Sequence, residues 1–447
     1  MNYVPHTPDD IEVMLKQIGI GSKEELFSHI PKEVLNKIEV GLPQGATEID
    51  IVRELHEIGA KNRDILSVSS FLGAGAYFHF VPPVVDFLSS RGEFATAYTP
   101  YQPEVSQGTL TAIFEYQSMV SYIFGVEVIN ASMYDGASSL SEAVLMAANV
   151  TGKRKFLVSS LIHPEYLQVI NTYVKNRDIE IIEVPYTEEG KTDISFLRDN
   201  IEDTAAVLIG YPNFFGIIED LKEIKNVIGD ALLITSTPEP ISLGVIVPPG
   251  AVGADIVTGE GMSFGNPLAF GGPYLGIFGT SKKYVRKMPG RLVGQTKDRE
   301  GNRGYVLTLS TREQHIRRAK ATSNICSNEG LCALRAAIYL ALLGKEGFYE
   351  LSEYNLALAH KIKDVILSYK GFSLKFQAPF FNEFVIETKY NPEKLYNYLL
   401  DRDIIFGLPL GRYKKDMENC FLVNVTEMIG EGDIEKLQKA LEEYHEE

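Results

Sequence analysis

The chain has 447 residues, 45% of them hydrophobic, enough for two or three domains around a large buried core. With 43 basic against 59 acidic residues it carries a formal charge of −16, and its cations form no long blocks, which argues against nucleic acid or an anionic membrane surface as the main partner. No apolar run of about 18 residues and no charged-then-apolar start occurs, so neither a membrane span nor a secretion signal is expected, and the chain is read as cytoplasmic.

Residues 1–66 read as a helical segment. Thr7-Pro8 supplies an N-cap and a first-turn proline ahead of Ile11, Met14, Leu15 and Ile18. Ser22 and Glu25 are spaced as a capping box before Leu26, Phe27 and Ile30, with Pro31 as a stop, and Ile51, Leu55 and Ile58 mark a further helix. Such short striped helices cannot bury themselves and need cover from the main body or a partner. Next, Phe71-Leu-Gly-Ala-Gly-Ala-Tyr-Phe-His79 is a loop that allows close backbone approach, but Gly73 and Gly75 lack the third glycine and the βαβ setting of a dinucleotide site. Tyr98-Thr-Pro-Tyr101-Gln-Pro-Glu104 makes a rigid polar-aromatic loop suited to a surface or a site.

From about 130 to 320, strands and helices alternate, as in a doubly wound sheet. Candidate strands are 155–159, 179–185, 205–210, 231–235, 254–257 and 274–278. The helix that opens at Gly136-Ala137-Ser138-Ser139 offers free N–H groups and hydroxyls, a natural anion site. His163 stands alone ahead of Pro164, and Tyr211 to Gly216 forms a loop after a strand. Gly253 to Pro273 then combines a short buried strand with a glycine-rich turn that contains no lysine. Beyond 326 a smaller α/β domain is expected. It has a long apolar helix from Glu329 to Leu343 closed by Gly344, strands near Phe384 to Ile386 and Phe421 to Asn424, and a last helix capped by Asp433 with Ile434, Leu437 and Leu441 as its stripe. Cys326, Cys332 and Cys420 fit neither a zinc site nor a redox pair and are read as small core residues.

Gly290 to Tyr305 and Thr311 to Cys326 resemble, almost word for word, the P-protein family of the glycine cleavage system, the decarboxylating glycine dehydrogenases. Tyr98 to Leu110, Met133 to Glu142 and Gly253 to Pro273 agree as well, so the likeness covers essentially the whole chain. It implies an α/β architecture of the aminotransferase type (fold type I, pyridoxal-phosphate-dependent transferases). The expected parts are an N-terminal helical arm over 1–66, a large doubly wound domain over 67–326 and a small C-terminal α/β domain over 327–447. In that fold the strand, loop and Gly-Gly turn carry the Schiff-base lysine, whose place falls here on Ser263, and the aspartate that holds the pyridine nitrogen is missing from Ser236-Thr-Pro-Glu-Pro. The resemblance makes Gly136, Ala137, Ser138 and Ser139 a vestigial phosphate site and His163 a ring-side residue.

A chain of this family without the lysine is similar to subunit 1, the half that pairs with a lysine-bearing homologue. Pyridoxal phosphate would then be bound covalently by the partner and not here. Glycine would lose carbon dioxide there and pass its aminomethyl group to the lipoyl arm of the H-protein, with Tyr98, Tyr101 and His79 as contributors to the partner's site. The expected assembly is a tight heterodimer or a pair of them, inactive as separate chains. Two alternatives are a scaffold without catalytic contact and a self-sufficient pyridoxal-phosphate enzyme using Lys282 or Lys283.

Overall fold

The computed structural model describes residues 5–38, 41–42 and 45–444, and the chain divides into two compact units, Met1–Arg63 and Asp64–Glu447. In the first unit, α1 (Pro8–Ile18) begins at Thr7, whose hydroxyl accepts the Asp10 N–H at 3.2 Å while the Asp10 carboxylate accepts the Thr7 N–H at 2.8 Å. Gly19 ends it in the left-handed region, where a Cβ is disfavoured. The box expected at Ser22 does not close. Lys23–Phe27 is a single 3-10 turn without a side-chain cap, and the Glu25 carboxylate takes the Gly21 N–H at 3.1 Å instead. Helix α2 (Glu48–Gly59) starts at Thr47. No residue of α1 or α2 is buried, and Ile18, Leu26, Phe27, Ile51, Leu55 and Ile58 are all exposed.

The second unit is built on a seven-stranded sheet of β1 (Val128–Ile129), β2 (Lys155–Ser159), β3 (Glu180–Val184), β4 (Thr204–Gly210), β5 (Leu232–Thr237), β6 (Ile256–Glu260) and β7 (Gly276–Thr280). The spatial order is β1-β7-β6-β5-β4-β2-β3, parallel except at β7, which pairs antiparallel with β6 and β1. Alternation distributes the strand residues between two cores. Phe156, Val158, Leu208, Ile234, Ile256 and Phe278 meet helix α3 (Gly136–Thr151). Leu157, Val207, Ile209, Leu233, Val257 and Ile277 meet Tyr116, Val120 and Phe124 of the helix Gln107–Phe124 on the other face. Helix α4 (Pro164–Val174) follows β2.

Strands β6 and β7 lie two residues later than the apolar runs suggest, because pairing continues through Thr258↔Phe278 to Glu260↔Gly276 and buries polar residues that the pattern does not mark as strand. A hairpin of β8 (Leu292–Lys297) and β9 (Arg303–Thr308) was not foreseen. Helix α5 spans Gly330–Leu367 but breaks at Gly344, at φ 62° and ψ −172°. Its first half, with Ala333, Ala336 and Leu340, joins the core of the large sheet. Its second half, with Leu358, Ile362 and Ile366, covers an antiparallel sheet in the order β10 (Phe372–Leu374), β11 (Glu383–Thr388), β13 (Cys420–Asn424), β12 (Leu408–Pro409).

The last helix runs Glu431–Glu443 and is entered at extended Gly430, three residues before the expected cap. Asp433 therefore sits in the first turn, where its carboxylate takes the Gly430 N–H at 2.9 Å. Its stripe of Ile434, Leu437 and Leu441 is buried. Cys332 and Cys420 are buried, but Cys326 is exposed, because Arg291 holds the backbone of its segment and leaves the thiol outside the core.

Two glycines separate conformational strain from steric exclusion. Gly152 ends α3 at φ 73° with open space around its Cβ position, so Gly152→Ala should cost only about 1–2 kcal/mol. Gly216, at φ 79°, lies against β11, where a Cβ would overlap the Glu383 carbonyl. Gly216→Ala should cost about 2–4 kcal/mol, measured as the larger shift of the urea midpoint.

Candidate functional site

At the carboxyl ends of β4, β5 and β6 the sheet delivers polar groups into a closed interior. Ser263, 2% exposed, lies three residues past β6, and its hydroxyl donates to Glu239 Oε2 at 3.2 Å. Glu239 follows β5 and also accepts the Ile241 N–H at 3.0 Å. On the same Oε2, His79 Nε2 donates at 2.8 Å, while His79 Nδ1 donates to Glu427 at 2.9 Å. Glu427 further accepts the Phe80 N–H at 2.8 Å and an Asn355 amide proton at 3.1 Å.

Burial works against a charge on His79, but Glu239 and Glu427 on its two sides outweigh it and raise its pKa to about 10. Burial likewise opposes charge on Glu427, and the facing imidazolium overcomes it, lowering the carboxyl to about 2. Beside them Glu383 accepts the Ala74 N–H at 2.6 Å and the Tyr77 hydroxyl at 2.7 Å; burial raises it to about 7. The close approach expected of the 71–79 loop is thus to protein. A Cβ on Gly73 would come within 2.6 Å of Asn424 and Glu383, and one on Gly75 within 3.0 Å of the His163 ring.

The N-terminus of α3 is occupied by carboxylates of this chain. Gly136 N–H donates to Glu260 Oε2 at 2.9 Å, and Ser138 N–H to Asp135 Oδ1 at 2.7 Å. The hydroxyls of Ser138 and Ser139 turn back to the Asp135 carbonyl, at 3.1 and 2.8 Å, and Ala137 lies between Gly136 and Ser138 in the same turn. Pyridoxal phosphate does not fit here. Its carbonyl would meet the Ser263 hydroxyl in place of an amine, and its phosphate would meet carboxylates on the amides of Gly136 and Ser138.

The other sequence candidates separate. His163 caps α4: its Nδ1 accepts the Glu165 N–H at 3.2 Å and its Nε2 donates to the Ala74 carbonyl at 2.8 Å, which fixes the neutral tautomer. Burial lowers its pKa, and Tyr166 and Phe214 flank its ring, so its contacts are structural. His79, 6% exposed and with both nitrogens taken, acts inside the chain and is out of a partner's reach. Tyr98 is 91% and Tyr101 55% exposed. Tyr101 accepts from Arg291 Nη2 at 3.2 Å and packs edge-on to His315. Lys282 and Lys283 sit at the surface, beside Glu127 and over Tyr284.

Sequence reasoning missed Glu239, Glu260, Glu427 and Arg291. The available signal was a carboxylate between two prolines and another between two glycines, each at the end of a buried strand. Arg291 is buried and donates to Ser327, Asn328 and the Cys326 carbonyl, while Arg312 holds the carbonyls of Met288 and Gly290. The segment that carries the family signature is therefore organised by two guanidinium groups. A cavity of about 800 Å³ is lined instead by Arg177, Arg286, Lys287, Arg317 and Lys320, and none of its lining residues belongs to the His79 cluster.

A test follows from the sign of the His79 shift. Because its folded pKa exceeds the unfolded 6.5, its contribution is complete below pH 6.5 and disappears as pH rises to about 10. The contribution of Glu427 is present above pH 4.5 and lost as pH falls towards 2. His79→Gln strands two buried carboxylates and should cost about 3–5 kcal/mol near pH 6. The urea-measured gap to the wild type should narrow between pH 6.5 and 10; a constant gap contradicts the charged assignment.

Comparison with known proteins agrees along the whole chain. The family model of the glycine cleavage system P-protein matches residues 1–441. A probable glycine dehydrogenase (decarboxylating) subunit 1 of Desulfitobacterium hafniense is 50% identical over 98% of both chains. One of the same description from Anoxybacillus flavithermus is 47% identical over 99% of both. The crystal structure of a glycine decarboxylase (P-protein) in inhibitor-bound form superposes with a TM-score of 0.89 at 44% identity, covering 99% of this chain and 100% of that one. Lactobacillus brevis glutamate decarboxylase, at 14% identity and a TM-score of 0.68 over 91% of this chain and 96% of its own, shares the fold alone. The chain thus has the aminotransferase-type α/β fold and belongs to the glycine cleavage system P-protein family, as a subunit-1 chain of decarboxylating glycine dehydrogenase.

Proposed function

We propose that this chain supports glycine decarboxylation from outside the covalent step, in a cytoplasmic complex with a homologous lysine-bearing chain. The observation that carries the reading is Ser263, a hydroxyl bonded to Glu239 where the fold needs an amine. The partner then holds pyridoxal phosphate covalently and supplies its chemistry. Carbon dioxide leaves, and the aminomethyl group passes to the lipoyl arm of the H-protein. No nicotinamide site is required, since the lipoyl disulfide accepts the electrons.

What this chain adds is position and surface. Arg291 donates to the Tyr101 oxygen, so the phenol's own proton is free to point outward, polarised by the neighbouring cation. Tyr98, fully out in solvent, offers a second phenol on the same loop. The His79 cluster fixes the 71–79 loop from beneath and takes no part in proton transfer, its nitrogens being committed to Glu239 and Glu427. The second reading, a scaffold without catalytic contact, rests on the same closed interior.

Exchange of labelled bicarbonate into glycine, with lipoylated H-protein, should occur only when both chains are mixed, and borohydride should fix no cofactor on this one. Full activity of the lysine-bearing chain alone would contradict the reading. Tyr98→Phe and Tyr101→Phe together should lower kcat at least about tenfold with assembly intact; an unchanged kcat would leave only the scaffold.

A further inference from the structure

One buried carboxylate is left unused by this function. Glu260, 1% exposed, closes β6 three residues before Ser263. Its Oε2 accepts the Gly136 N–H at 2.9 Å, and its Oε1 accepts the Met262 and Leu275 N–H groups at 3.0 and 2.8 Å. Burial raises the Glu260 carboxyl to about 7, while three main-chain donors and the positive end of a sixteen-residue helix converge on it and favour its charged form. The fit is close. A Cβ on Gly136 would lie 2.7 Å from the Tyr166 hydroxyl and 3.2 Å from Glu260 Cβ, and one on Gly276 would lie 2.5 Å from the Asp135 carbonyl and Ser139 Oγ. A side chain at 136 or 276 would collide with this arrangement.

We propose that Glu260 is a built-in anionic ligand of the α3 N-terminus, standing where pyridoxal-phosphate enzymes of this fold hold the cofactor's phosphate, and that it closes this chain to phosphate esters of the pyridoxal class. The reason is competition for one set of donors. An entering phosphate would have to expel a tethered carboxylate whose effective concentration at the Gly136 N–H no free anion matches, and it would face Asp135 on the next amides as a second like charge. The substitution at Ser263 removes the covalent anchor, and Glu260 removes the ionic one. This inference rests on contacts within this chain and is independent of how the partner works.

The test uses the full-length chain, with inorganic phosphate, acetate and pyridoxamine 5′-phosphate as probes, and reads calorimetric binding, thermal midpoint and amide-exchange protection of the segment 134–139. In the wild type none of the three should alter that protection. Glu260→Ala removes the tethered anion. Its thermal midpoint should rise with phosphate or acetate concentration as linked binding requires, and at least one of these anions should bind ten times more tightly than to the wild type. If the variant does not fold in plain buffer, refolding in phosphate or acetate should recover it, and Glu260→Asp, which keeps a carboxylate, should fold without either. The proposal is overturned if pyridoxamine phosphate protects residues 134–139 in the wild type, if folded Glu260→Ala gains affinity for neither anion, or if unfolded Glu260→Ala is recovered by neither. These readouts do not involve turnover, so they remain decisive if the assay of mixed chains fails.

Discussion

The imidazolium of His79 lies between two carboxylates that the chain brings from the middle and the end of its second unit, Glu239 after β5 and Glu427 after β13. Each carboxylate would be costly alone in a closed interior, and so would the cation; together, with main-chain N–H groups and an Asn355 amide filling the remaining acceptor sites, they satisfy one another. The large sheet, the small sheet and the glycine-rich 71–79 loop share this one network. A change at any of the three leaves an unpaired charge in the middle of the other two.

The same network takes in the loop after β6. Ser263 adds its hydroxyl to an acceptor already held by His79, and Glu260 fills the helix terminus that lies on the other side of the same loop. Side chains of the chain itself thus engage both the Ser263 hydroxyl and the Gly136 N–H. The chain keeps the shape of the family while the groups with freedom to meet another molecule are on its surface, among them Tyr98, the outward proton of Tyr101 and the cations around the 800 Å³ cavity.

The charge on His79 also ties the two units of sequence information that a linear reading keeps apart. In the sequence, position 79 is a lone histidine after a glycine-rich loop, and position 239 is an acid between two prolines. Only their 2.8 Å contact shows that the two belong to one buried cluster.

By itself the sequence determined the alternating strands and helices of the doubly wound sheet, the break at Gly344, the cap at Thr7 and the family, because these rest on local periodicity, backbone freedom and motif identity. It also determined that Ser263 cannot form an imine, since that follows from the functional group alone. It misjudged the box at Ser22, the cap at Asp433 and the ends of β6 and β7, where a competing hydrogen bond or a paired neighbour wins or moves a boundary by two or three residues. Tertiary structure alone decided that His79 is an interior cation, that His163 caps a helix and that Glu260 fills the turn at Gly136. Each outcome depends on which group arrives within about 3 Å from 89 to 348 residues away, and desolvation sets its charge only once the chain has closed around it.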